Sequence, residues 1–186
     1  MVLEMEHDKS KLDCFVEDFV KILEKYGDYI IVSGYVAIAL GRSRGTEDID
    51  IIVQPIEKIK YSELHNELIQ AGFECLQSHD PNEVHSYLKD YLSVRYGRKG
   101  TFIPNIELKF AKDELDYYQL TTKKKLKETG LDFYFSSVEM NIAFKEEYLK
   151  SGKDMEDAKH LRIVFAGKLN ENEIEQIKKE IRRVKL

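Results

Sequence analysis

Asp48 and Asp50 stand one residue apart inside an apolar, β-branched run, Asp48-Ile49-Asp50-Ile51-Ile52-Val53. Side chains alternate faces along a strand, so both carboxylates fall on one face, roughly 7 Å apart, with Ile49, Ile51 and Val53 on the other. Carboxylates in that arrangement can share hard divalent cations. An Asp-x-Asp is also common at a solvated strand edge, so the residues before it weigh in the reading. Ser33-Gly34 is a tight turn after the apolar stretch Tyr29 to Val32, and backbone N–H groups at such a turn suit phosphate. Arg42, Arg44 and Thr46 lie between the turn and the aspartates. An anion cradle, cations and hard-metal ligands close together in sequence suit the chemistry of nucleotide phosphates.

The elements that must position these residues follow from periodicity and punctuation. Tyr29 to Val32 reads as a strand, Val36 to Leu40 as a short buried helix ending at Gly41, and Asp48 to Val53 as a second strand. Ser10 to Tyr26 has its apolar residues at helical spacing, with Ser10 as N-cap. Pro55 to Ala71 reads as a helix, Phe73 to Leu76 as a strand, and Asp80-Pro81 as a helix start. Tyr91 to Tyr96 reads as a strand turning over at Gly97-Arg98-Lys99-Gly100. Ile106 to Phe110 alternates, with Glu107 and Lys109 on its polar face; Glu107 is either a third site carboxylate or part of an ordinary wet strand face. Asp113 to Thr122 reads as a helix and Leu131 to Phe135 as a short strand. Ser136-Ser137-Val138-Glu139 reads as a capping box opening a helix to Leu149.

On that last helix Lys145 shares a stripe with Val138, Ile142 and Leu149, and a lysine there needs a partner or a wet cleft. The next helix, from Ser151 to Ala166, offers Asp154 or Asp157. The pair is either a buried tie between helices or part of a nucleotide site. Asn170 to Val184 is an amphipathic terminal helix, suited to cover the core or to make a homodimer contact.

The stretch SGYVAIALGRSRGTEDIDI resembles the signature of the polymerase-β-like nucleotidyltransferase superfamily, a glycine turn followed by Asp-x-Asp. It looks most like the branch of minimal, abortive-infection-type enzymes, many of which are toxins of toxin–antitoxin pairs. Ser33-Gly34, Arg44-x-Thr46 and Asp48-Ile49-Asp50 fall on that branch's positions without a gap, and Lys145, Lys153, Asp154, Asp157 and Ala158 match a second, helical pattern. Two departures stand out: Ser33 replaces the first glycine, and Glu107 stands where the superfamily more often has Asp.

The resemblance implies an α/β (α+β) fold, a small mixed sheet flanked by helices with a helical C-terminal segment. It implies transfer of a nucleoside monophosphate from a nucleoside triphosphate, ATP among the candidates, to an unidentified hydroxyl of RNA or protein. Asp48, Asp50 and Glu107 would be catalytic and hold two Mg²⁺ ions. Ser33, Gly34, Arg42, Arg44, Thr46, Lys145 and Asp157 would bind the nucleotide. An antitoxin partner is consistent with the branch. The rival reading is a non-catalytic binding module of the same fold that recognises RNA or a protein.

Composition bounds these readings. At 186 residues, 42% apolar and with three prolines, the chain suits one domain over residues 1–186, with a core at about 26–112 and a helical part at about 136–186. No apolar run is long enough for a membrane span, and no signal peptide is legible. Cys14 and Cys75 read as core thiols of a cytoplasmic protein. The net charge of −5 gives no global attraction to nucleic acid. The lysine run Lys123, Lys124, Lys125 and Lys127 is either a solvated face or a local RNA contact. His79 and His85, near Asp80 and Glu83, read as solvated loop residues.

Overall fold

The computed structural model describes residues 9–186. Five strands form one mixed sheet in the order β1-β2-β5-β4-β3. They are β1 (Tyr29–Val32), β2 (Asp48–Val53), β3 (Phe73–Cys75), β4 (Val94–Arg98) and β5 (Asn105–Phe110). β2 and β5 run parallel, while β1 pairs antiparallel with β2, and β4 pairs antiparallel with both β5 and β3. The helices are α1 (Lys11–Leu23), α2 (Gly34–Ala39), α3 (Lys58–Gln70), α4 (Pro81–Lys89), α5 (Glu114–Thr121), α6 (Val138–Phe144), α7 (Gly152–Val164) and α8 (Glu171–Lys185). This is a mixed α/β sheet flanked by helices, with a helical C-terminal part. No helix among the described residues is long and apolar enough to cross a membrane.

Strand alternation sorts the sheet into two unlike faces. Ile49, Ile51 and Val53 of β2 join Ile106, Leu108 and Phe110 of β5 in the main core. That core also takes the apolar stripes of α1 (Phe15, Phe19, Leu23), α3 (Tyr61, Leu64, Leu68) and α4 (Val84, Leu88). α1 is started by a capping box in which Ser10 and Asp13 satisfy each other's backbone N–H groups. The opposite face carries only a small apolar cluster, Ile30, Ile52, Ala111 and Leu120, with Val32 against it. The rest of that face is left to polar residues.

The chain returns from α5 to the open edge of β1. Ser136 N–H donates to the Ile31 carbonyl at 2.9 Å, and Ile31 N–H donates to the Tyr134 carbonyl at 2.9 Å. The expected strand at residues 131–135 is thus reduced to isolated bridges, from Phe135 to Ile31 and to Lys124. Those bridges are enough to deliver α6 to the end of β1 where Ser33 lies. The expected capping box at Ser136 is also shifted: Ser137 is the N-cap, accepting from Met140 N–H. The expected turn at 97–100 begins later, because β4 runs on through Arg98.

Two side-chain expectations, those for Cys14 and His85, are corrected. Cys14 is exposed, whereas Cys75 is buried. His85 is partly buried, with Nε2 2.9 Å from the Ile56 carbonyl and its ring edge-on to Phe110. The lysine run lies on the surface, with Lys124, Lys125 and Lys127 exposed; Lys123 pairs with Asp28 at 2.6 Å and Lys125 with Asp132 at 2.5 Å, and both ammonium groups lie over the Tyr134 ring.

Phe135 is fully buried at the join between β1 and the C-terminal helices. Phe135→Ala should cost about 3–5 kcal/mol, read as a fall in the urea midpoint. A loss under 1 kcal/mol would show that this bridge does not anchor α6.

Candidate active site

The site begins at the turn after β1. Ser33 has φ 68° and ψ −136°, a backbone region that glycine enters freely and L-residues rarely occupy. Ser33 therefore adopts a glycine-type conformation at the position where the resemblance has a glycine. Its side chain offers a hydrogen bond to Asp50, which glycine could not do. At Gly34 a Cβ would collide with the Arg44 guanidinium and displace it from its place beside Asp157.

The next residues come from the parallel pairing of β2 with β5. Asp50 stands in register with Glu107, and Asp48 with Asn105. Register on adjacent strands puts partners on the same face, so Asp48, Asp50 and Glu107 share the polar face. Lys109 continues that face along β5. Crowding of like charge is evident at Asp50: burial pushes its carboxyl up to about 6, and repulsion from Asp48 and Glu107 adds to the rise. The Ser33 hydrogen bond and Lys109 oppose it. Beside Asp48, Asn105 is buried with its Oδ1 unpartnered, while Nδ2 donates to the Phe102 and Glu47 carbonyls.

Glu107 differs from the two aspartates. Arg95 stands opposite it on β4 and donates from Nη2 to Glu107 Oε2 at 2.5 Å. Among the described residues, no three His, Cys, Asp or Glu side chains are grouped to hold a metal ion as they stand. The donor chemistry nonetheless suits a hard divalent ion: oxygen ligands, an excess of negative charge, and a carboxylate whose ionisation that excess opposes.

Arg42, Arg44, Lys145 and Asp157 meet in a second constellation. Asp157 on α7 is fully buried and accepts from Arg44 Nε at 3.0 Å and Nη2 at 2.9 Å, and from Lys145 Nζ at 3.0 Å. Arg42 Nε reaches it at 3.4 Å, and Arg42 also pairs with Glu156. Asp154 lies 3.4 Å from Lys145 Nζ, so both aspartates anticipated as partners take part. Burial raises the Asp157 carboxyl, but the hydrogen bonds from Arg44 and Lys145 outweigh it and hold it below the usual range. Lys145 opens a five-residue π-helical turn, Lys145–Leu149, and such turns are frequent at functional sites. Thr46 donates to the Asp48 carbonyl at 2.9 Å, which fixes the loop entering β2.

A cavity of about 200 Å³ opens between the polar sheet face and α6. Ser33, Asp50 and Lys145 line it, whereas Gly34, Arg42, Arg44, Thr46, Asp48, Glu107 and Asp157 do not. Lys109, Lys112, Gln119, Asn141, Tyr148 and Lys185 also line it, and sequence reasoning assigned none of them to the site. Lys109 was legible, two residues past Glu107 on the same face. Lys112 lies in the short connection from β5 to α5, and the others come from helical segments whose docking no local pattern fixes. A wider groove of about 570 Å³ between α5 and α8 contains none of these carboxylates.

No family model matches the chain, and no curated protein matches it in sequence. Solved structures match in shape. The solution structure of the antibiotic-resistance factor ANT(2'')-Ia superposes with a TM-score of 0.57 at 13% identity, over 92% of this chain and 91% of that one. Its crystal structure with adenylyl-2''-tobramycin gives a TM-score of 0.57 at 13% identity over 94% and 98%. The fold is that of the nucleotidyltransferases. An antigenic nucleotidyltransferase-like protein from Paracoccidioides brasiliensis adds a TM-score of 0.50 at 18% identity, over 94% of this chain and 89% of that one. The nucleotidyltransferase fold thus spans nearly the whole chain and reaches into the C-terminal helices.

Two measurements probe this geometry. A carboxyl with a raised folded pKa is protonated more readily in the folded than in the unfolded chain, so its ionisation opposes folding. For Asp50 that cost grows from about pH 4 to about pH 6 and is complete above. Asp50→Asn should therefore raise stability at pH 8 by on the order of 2 kcal/mol and change little at pH 4; a loss at pH 8 would contradict the crowding. Lys145→Met leaves the buried Asp157 short of a cation and should cost roughly 3–5 kcal/mol in urea denaturation. A change under 1 kcal/mol would mean that Arg44 suffices alone.

Proposed function

We propose that this chain is a divalent-metal-dependent nucleotidyltransferase that moves a nucleoside monophosphate from a nucleoside triphosphate onto a hydroxyl, with residues 1–186 acting as one domain. The observation that carries the reading is the in-register row of Asp50 and Glu107, with Asp48 on the same face, beside the Ser33-Gly34 turn and a lysine-lined cavity. The fold of the structural neighbours supports the reaction class, and the ANT(2'')-Ia complex with adenylyl-2''-tobramycin supports a hydroxyl as the acceptor type. An RNA or protein acceptor and a paired antitoxin, as in the abortive-infection-type branch, are supported by the sequence resemblance alone.

Asp48 and Asp50 would hold the metal, joined by Glu107 once its carboxylate leaves Arg95. When bound, divalent ions there neutralise the triphosphate and lower the pKa of the acceptor hydroxyl. The chain's own groups place the substrate. Backbone N–H groups at Ser33 and Gly34 face the phosphates, and Lys109 and Lys145 supply positive charge toward the cavity. Arg44 and Asp157 position Lys145 rather than reaching the cavity themselves. The acceptor oxygen attacks the α-phosphorus in line, the bond from that phosphorus to the bridging oxygen breaks, and pyrophosphate leaves.

The second reading, a binding module without turnover, is favoured by one observation: Glu107 is committed to Arg95, and no three-carboxylate cluster stands ready. Incubation with Mg²⁺, labelled nucleoside triphosphates and total RNA, protein or small-molecule extract separates the two. Labelled acceptor and released pyrophosphate are expected from the native protein. The Asp48→Ala/Asp50→Ala double variant should lose at least 10²-fold in rate while still melting cooperatively. Undiminished transfer in that variant would end the assignment, and nucleotide binding without pyrophosphate would favour the module.

A further inference from the structure

Three residues form a continuous row across adjacent strands on the polar face. Asp50 on β2 is in register with Glu107 on β5, and Glu107 is in register with Arg95 on β4. Glu107 therefore stands between an acid that repels it and a guanidinium that attracts it. The contact is a charge-assisted hydrogen bond of 2.5 Å, the stronger kind. Even so, the Arg95 side chain is 42% and Glu107 21% exposed, and ion pairs so open to water hold weakly. A divalent cation between Asp48 and Asp50 would offer Glu107 a stronger counter-charge. Nothing else competes for the carboxylate: Arg95 is its one ion-pair partner among the described residues.

We propose that Arg95 is a built-in competitor for divalent cation, a positioning residue that ties up Glu107 so that metal loading must break the Arg95–Glu107 ion pair. The proposal rests on the metal-site reading above and adds a regulator to it. Arg95 touches neither aspartate and acts only through Glu107. In the unloaded protein the guanidinium satisfies the third carboxylate and moderates the charge crowding around Asp50. On loading, Glu107 turns from β4 toward β2, and Arg95 is freed at the cleft edge. The site is thereby tuned to weak occupancy by cation alone, because each loading event gives up an ion pair.

The test is Mn²⁺ titration of the full chain without nucleotide, with free Mn²⁺ read by electron paramagnetic resonance. The variants are Arg95→Gln, Arg95→Lys, Glu107→Gln, Arg95→Gln with Glu107→Gln, and Asp48→Asn, each checked for cooperative melting. Arg95→Gln should tighten Mn²⁺ binding about fourfold, a change of about 0.8 kcal/mol, and Arg95→Lys should tighten it less. In the Glu107→Gln background the same Arg95→Gln change should matter less than twofold. Unchanged affinity in Arg95→Gln overturns the proposal. So does equal tightening with and without Glu107, which would reduce Arg95 to a bystander charge. Should Mn²⁺ binding be indifferent to Asp48→Asn, the metal-site reading falls and takes this proposal with it. Binding that needs Asp48 yet ignores Arg95 overturns the proposal alone.

Discussion

The parallel register of β2 on β5 is the constraint on which the rest of the molecule depends. It places a carboxylate opposite a carboxylate on a partly desolvated face, an arrangement that folding alone does not favour. Apolar burial on the other face sustains it. Ile49, Ile51, Val53, Ile106, Leu108 and Phe110 point into the main core from the same two strands, and a slip of one residue would expose that whole set. The core thus enforces the charge crowding, and the crowded face in turn carries the groups that relieve it: the Ser33 hydroxyl, Lys109 and Arg95.

A second dependency joins the C-terminal helices to this face. Asp157, fully buried, would be costly alone and is stable because Arg44 and Lys145 converge on it. Arg44 comes from the loop before β2 and Lys145 from the end of α6, so one carboxylate ties the turn side of the site to its helical wall. Gly34 belongs to the same construction, since its missing side chain is the space the Arg44 guanidinium occupies. The sequence resemblance implied nucleotide contacts for Arg44 and Asp157; neither lines the cavity that Lys145 lines, and both hold Lys145 or its partner in place.

Much of the framework could be read from the sequence because it is local. The alternation of Asp48 to Val53, the Ser10 cap of α1, and the Asp80-Pro81 start of α4 each follow from neighbouring residues. The partner of Lys145 was legible for the same reason, as Asp154 and Asp157 lie 9 and 12 residues further along, just past one helix break. What was not legible depends on distant docking. Arg95 looked like any polar residue in an alternating strand until the antiparallel pairing of β4 set it against Glu107. Residues 131–135 have strand-like composition, yet they find a single pairing position because they meet the short edge of β1. Lys185 and Tyr148 reach the cavity only through the placement of α8 and the π-helical turn.

The placement of the lysines has a consequence for electrostatic selectivity. Lys123 and Lys125 pair with carboxylates at the far end of β1, away from the aspartates; of the four lysines that line the cavity, Lys145 and Lys185 are held by Asp157 and Asp113, while Lys109 and Lys112 have no ion pair among the described residues. Two lysines without ion pairs inside a cavity of an acidic protein give a short-range pull beneath a mildly repulsive exterior. On the proposed reading, that profile would favour a compact polyanion able to slip inside over a long polymer that must lie along the outside.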